Sequence, residues 1–116
     1  MAYLMASKAI GTDSALIERE WSRIEKFLHT YLTKSDKILI GNIHTGVLRQ
    51  KFEKEGWNIT VVKQVPGSLK NHNRKLIREN SPVLFLHVNH SSIISEFIDY
   101  AKNTAKVIYH VLEITK

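Results

Sequence analysis

Two short polar stretches of the 116-residue chain hold the residue types that chemistry needs: Asn42, Ile43, His44, Thr45, Gly46, and Asn89, His90, Ser91, Ser92. Each follows an apolar run and precedes a segment of helical spacing, which is where a strand passes into a helix. Free backbone N–H groups and the helix dipole at such a junction favour a phosphate or carboxylate. Thr45, Ser68 and Ser91 are also suited to capping the helices that follow, a role compatible with anion binding. Histidine changes charge near neutral pH, so His44 and His90 facing each other across a crevice would form an acid and base pair. The same two rings could hold one divalent ion. These loops contain no acidic residue, however, which a hydrolytic metal site normally needs. Anion binding is therefore the expected role, with no metal and no cofactor, and His44 and His90 become catalytic candidates only if the protein is an enzyme.

Several chemistries are excluded by spacing or count. Gly41 and Gly46 do not make a GxGxxG fingerprint, and Val47 and Leu48 stand where a P-loop needs Lys and Ser or Thr. His87 and His90 are three apart, whereas two ligands on one strand face need a spacing of two. A nuclease-type pair with Tyr100 as nucleophile is not expected from them. His87 and His110 interrupt apolar strands and read as hydrogen-bonded core or edge residues. There is no cysteine, which removes thiol catalysis, zinc ribbons and disulfides.

The net charge is +6 and unevenly placed. Residues 1–48 carry six basic and five acidic side chains, residues 49–78 eight and two, and residues 79–116 three and four. Of the basic block, Lys63, Lys70, Arg74 and Lys75 could gather beside the two loops and attract a polyanion in a salt-dependent way. A solvated basic helix explains the same pattern. Only Phe52 and Trp57 are interleaved with these charges, which disfavours stacking on single-stranded nucleic acid.

Positioning such loops requires a parallel sheet. Residues 14–32 have Ile17, Trp21, Ile24, Leu28 and Tyr31 at helical spacing, with Asp13 or Ser14 as N-cap. After a polar break come strand 37–41, helix 45–55 closed by Gly56, strand 57–63, a turn at Pro66 and Gly67, helix 68–79, strand 83–88, a helix from Ser91 or Ser92 to 104, and strand 106–114. The last alternates most and reads as an edge. The alternation predicts one domain over 1–116: an arm (1–13), an amphipathic helix (14–32) and a βαβαβαβ core (37–114). The expected fold is a three-layer α/β sandwich of Rossmann or flavodoxin type, with a four-stranded, mostly parallel sheet in the order 2-1-3-4 and an additional N-terminal helix. The pattern of strands and helices resembles small stand-alone Rossmann-like domains, and a ligand would then sit beyond the strands' carboxyl ends, at Asn42 to Gly46 and Asn89 to Ser92.

The function expected from this reading is a binding module for a phosphate-bearing ligand, a nucleotide or signalling nucleotide. The alternatives are nucleic-acid binding through residues 49–78 and a non-enzymatic interaction or inhibitor factor. Met1, Tyr3, Leu4, Met5 and Ile10 precede a helix whose apolar stripe is already wide, so a homodimer through the arm and first helix is expected. No run reaches the roughly 18 apolar residues of a membrane span, and the first ten residues lack a basic leader and a long apolar region. A soluble, cytoplasmic protein is the corresponding expectation.

Overall fold

The structure is a computed structural model that describes residues 1–63 and 67–116. The apolar residues Ala2–Ala6, expected as part of a packing arm, form a strand, β1. Lys8–Thr12 is a short helix, α1, and Ser14–Tyr31 the long helix α2. The order then runs β2 (Lys37–Gly41), α3 (Gly46–Lys54), β3 (Asn58–Val62), α4 (Leu69–Glu79), β4 (Val83–Val88), α5 (Ser92–Asp99) and β5 (Tyr109–Ile114). A π-helical turn, Tyr100–Ala105, extends α5 and ends at Lys106 in the left-handed region.

All five strands are parallel, in the order β3-β2-β1-β4-β5. The fold is the α/β sandwich of Rossmann or flavodoxin type, with five strands rather than four. The added strand is the central one. β1 pairs with β2 through Tyr3 and Leu39, and with β4 through Leu4 and Leu84, so it separates two strands expected to be neighbours. β5 is an edge, as its alternation predicts.

Helices cover both faces, and strand alternation divides the core accordingly. Leu4, Ile38, Ile40, Leu84 and Leu86 pack with Ile10, Ile17, Ile24, Leu28, Leu48 and Phe52 from α1, α2 and α3. On the other face Tyr3, Met5, Val83 and Phe85 pack with Leu76 and Ile77 of α4 and Ile94 and Phe97 of α5. The helix stripe of residues 14–32 thus meets its own sheet. Ala2, Tyr3, Leu4 and Met5 are buried within the single chain, so the arm does not offer the free apolar surface on which a homodimer was expected to form.

Local signals behave as their chemistry demands. Asp13 accepts a hydrogen bond from Leu16 N–H at 3.1 Å and caps α2, and this bond holds its carboxyl below the usual range. Gly56 has φ +86° just beyond α3. Gly11 packs so tightly on the β2–α3 loop that a Cβ there would lie 1.9 Å from the His44 carbonyl oxygen. Of the turn expected at Pro66 and Gly67, Pro66 lies outside the described residues, and Gly67 has φ +119°. Among the described residues, no helix is long and apolar enough to cross a membrane.

Candidate functional site

The carboxyl ends of β1, β2 and β4 meet at one edge of the sheet, where the helices change face. A cavity of about 220 Å³ opens there. β1 and its exit contribute Tyr3, Met5, Ser7 and Lys8, the β2–α3 loop Asn42, Ile43, His44 and Thr45, α4 Leu69, His72 and Asn73, and the start of α5 Ser91, Ile93 and Ile94. A crevice between the loops after 37–41 and 83–88 was the expectation. Because β1 stands between those strands, its own exit at Ser7 and Lys8 forms part of the site.

The helices that start near this cavity differ from one another in how their first turns are capped. α2 is capped by Asp13, and α4 by Ser68, whose hydroxyl accepts from Asn71 N–H at 3.4 Å. Among the described residues, α1, α3 and α5 have no side-chain cap. Thr45, expected as a cap, instead donates its hydroxyl to the Gly41 carbonyl at 2.6 Å and accepts from Arg49 Nε at 3.1 Å. Ser91 also makes no capping bond, contrary to expectation. Among the described residues, the first-turn N–H groups of α3 and α5 therefore have no side-chain acceptors, and both helices begin at the cavity.

Of the residues singled out in the two loops, Asn42, His44, Thr45 and Ser91 line the cavity. Gly46 is the first residue of α3, and Ser92 the first of α5. Asn89 and His90 turn elsewhere, because both adopt left-handed backbone, with φ of 51° and 52°. Asn89 is tied to the end of β5, its N–H donating to the Ile114 carbonyl and its side-chain oxygen accepting from Lys116 N–H, both at 2.9 Å. His90 accordingly lies beside Glu113, with 3.6 Å between His90 Nδ1 and Glu113 Oε2. The expected pairing of His44 with His90 is not formed, and with it goes the acid and base reading of that pair.

The residues that sequence reasoning overlooked come mostly from β1 and α4. Ser7 and Lys8 follow an apolar run and precede a helix, the same grammar that marked the other two loops. Ser7 is buried and accepts from Val88 N–H at 2.9 Å, while Lys8 is exposed and brings a cation to the rim. Tyr3 donates its hydroxyl to Asn73 Oδ1 at 3.2 Å, and burial pushes its phenol well above the ordinary range, so it stays a neutral donor. His72 Nε2 is shielded from solvent and has no hydrogen-bond partner among the described residues. Ile43, Leu69 and Ile93 are exposed apolar residues at the mouth.

The four basic residues proposed for polyanion binding do not form one free cluster. Lys70 pairs with Glu96 of α5, and Arg74 lies 3.9 Å from the same carboxylate and over the Tyr100 ring. Lys70, then Arg74, holds the Glu96 carboxyl below its usual range. Lys63 and Lys75 are exposed. Lys51, also in the basic block, pairs with Glu18 of α2 and with Glu55 of its own segment. Compared with protein-family models, curated protein sequences and solved structures, the chain finds no match.

Proposed function

We propose that the protein is a binding module for a phosphate-bearing ligand of the nucleotide class, held at the carboxyl edge of its sheet. The observation that carries this reading is the pair of helix starts, α3 and α5, that converge on one cavity without a side-chain cap among the described residues, as α1 also does, whereas α4, whose first residue Leu69 lines the same cavity, is capped by Ser68. Backbone N–H groups and two helix dipoles favour an anion, and Lys8 adds a positive charge. The lining includes no carboxylate, which suits binding an anion better than hydrolysing one. Its volume is below the roughly 300 Å³ at which pockets for whole drug-sized ligands begin. The cavity therefore takes the phosphate and its sugar, and the flat ring of a base rests against Ile43, Leu69 and Ile93 at the mouth.

The alternative of nucleic-acid binding through residues 49–78 is less well supported, since Lys70 and Arg74 are already paired with Glu96. A thermal-shift panel of AMP, ADP, ADP-ribose, a cyclic dinucleotide and adenosine tests the proposal. At a hundredfold excess over Kd a ligand stabilises by about 2.7 kcal/mol, a rise in Tm on the order of 10 °C. Stabilisation by a phosphate-bearing member and not by adenosine is expected; a flat response across the panel refutes the reading.

A further inference from the structure

On the β4–β5 side of α5, outside the cavity, His87, His90 and Glu113 form a second cluster. His87 and Glu113 are register partners on β4 and β5, and the left-handed turn at Asn89 and His90 brings the second imidazole onto the same carboxylate. His87 is 3% exposed, so its ring is held by its partners. Nε2 lies 3.0 Å from the Ser91 carbonyl oxygen and 3.1 Å from Ser95 Oγ. A carbonyl only accepts, so Nε2 carries the hydrogen. In the neutral ring, Nδ1 is then a lone pair, yet it stands 3.0 Å from Glu113 Oε1, which is also an acceptor. Two acceptors at that distance require a positive charge between them, a proton or a metal ion. A proton would satisfy this one contact but gives no role to His90, whose Nδ1 is 3.6 Å from the other carboxylate oxygen, too long for a hydrogen bond.

We infer that His87, His90 and Glu113 bind a divalent transition-metal ion of the zinc class. Four-coordinate zinc holds nitrogen and oxygen ligands at about 2.0–2.1 Å, which separates neighbouring ligand atoms by about 3.3 Å. His87 Nδ1 is 3.0 Å from Glu113 Oε1 and His90 Nδ1 is 3.6 Å from Glu113 Oε2, so each imidazole reaches one of the two carboxylate oxygens, and one ligand atom from each residue falls within 4.8 Å of the others. Two imidazoles and one carboxylate form a ligand set that zinc accepts. Ser91 and Ser95 supply the outer hydrogen bonds that fix a liganding imidazole and its tautomer. His90 and Glu113 face solvent, which leaves a coordination position open to water.

Chelator-treated protein titrated with Zn²⁺ by calorimetry, and with Co²⁺ by visible absorption, provides the test. One equivalent per chain is expected, with the intense visible bands of four-coordinate Co²⁺. His90→Ala and Glu113→Gln, both at exposed positions and checked for folding by circular dichroism, should each lose at least tenfold in affinity, while His29→Ala binds as the parent does. Absence of a one-equivalent site, parent-like affinity in either of the first two variants, or loss in His29→Ala overturns the inference and leaves a proton between His87 and Glu113.

Discussion

Replacing Gly11 by alanine tests how the first fifteen residues and the site are joined. The added methyl would start 1.9 Å from the His44 carbonyl oxygen and 3.0 Å from its carbonyl carbon, both backbone atoms. Contacts of a Cβ below 3.0 Å are essentially never seen, so the β2–α3 loop has to withdraw by about 1 Å or α1 must lift from it. Overpacking of this kind costs about 1–3 kcal/mol. For a chain of this length, 2 kcal/mol corresponds to a fall in Tm on the order of 10 °C. The displaced segment carries His44 and Thr45, so affinity for a cavity ligand should fall along with stability. Thermal unfolding of Gly11→Ala beside Gly46→Ala provides the comparison, because a methyl on Gly46 meets only the flexible end of Arg49, at 4.0 Å. Gly46→Ala is expected within about 1 kcal/mol of the parent. A Gly11→Ala protein as stable as the parent would refute the tight contact between α1 and the loop.

Leu4→Ala should cost about 2–5 kcal/mol in denaturant unfolding, because Leu4 is 1% exposed on the central strand; a negligible loss would return residues 2–6 to the status of an arm. Thr45→Val keeps the shape but leaves the Gly41 carbonyl unpaired, and a loss of about 1–3 kcal/mol is expected in the same assay; an unchanged midpoint would show that water replaces the hydroxyl. His110 stacks on Tyr31 at a ring separation of 3.5 Å, and burial lowers its pKa below 6.5. The unfolded chain therefore binds this proton more readily, so the contribution is full above about pH 6.5 and lost as pH falls below it towards the folded value. The denaturation midpoint of His110→Phe should depend less on pH between 7.5 and 5.5 than the parent's, and an identical dependence would contradict the assignment.

Most of the fold was legible because its signals are local. The spacing of Ile17, Ile24 and Leu28 marks a helix with one buried face, and all three are at most 1% exposed. The runs KILIG and VLFLHV are strands covered on both faces. β1 escaped for the same reason that it is central. AYLMA has no alternation because both its faces are covered, and alanine and methionine are indifferent strand formers. Missing it misplaced the crevice by one strand and hid Ser7 and Lys8. The contact of His87 and His90 with Glu113 was hidden differently. Alternation along a strand excludes a shared face for residues three apart, but His90 is no longer on the strand, and two left-handed residues reverse its direction. The pairing of His87 with Glu113 follows from sheet order, a property of the whole chain rather than of either segment. The basic segment is divided between α3 and α4 on opposite faces of the sheet, and the pairing of Lys70 and Arg74 with Glu96 depended on α4 and α5 being neighbours.

The central claim is that a phosphate sits at the joined starts of α3 and α5. Backbone amide NMR of the labelled chain, titrated with ADP and ADP-ribose and with adenosine as control, tests it most directly. The account predicts saturable shifts at the amides of Gly46, Val47, Ser92 and Ile93 with the phosphate-bearing ligands and none there with adenosine. Shifts confined to Lys63, Lys70 and Lys75, or the same response to adenosine, would contradict it.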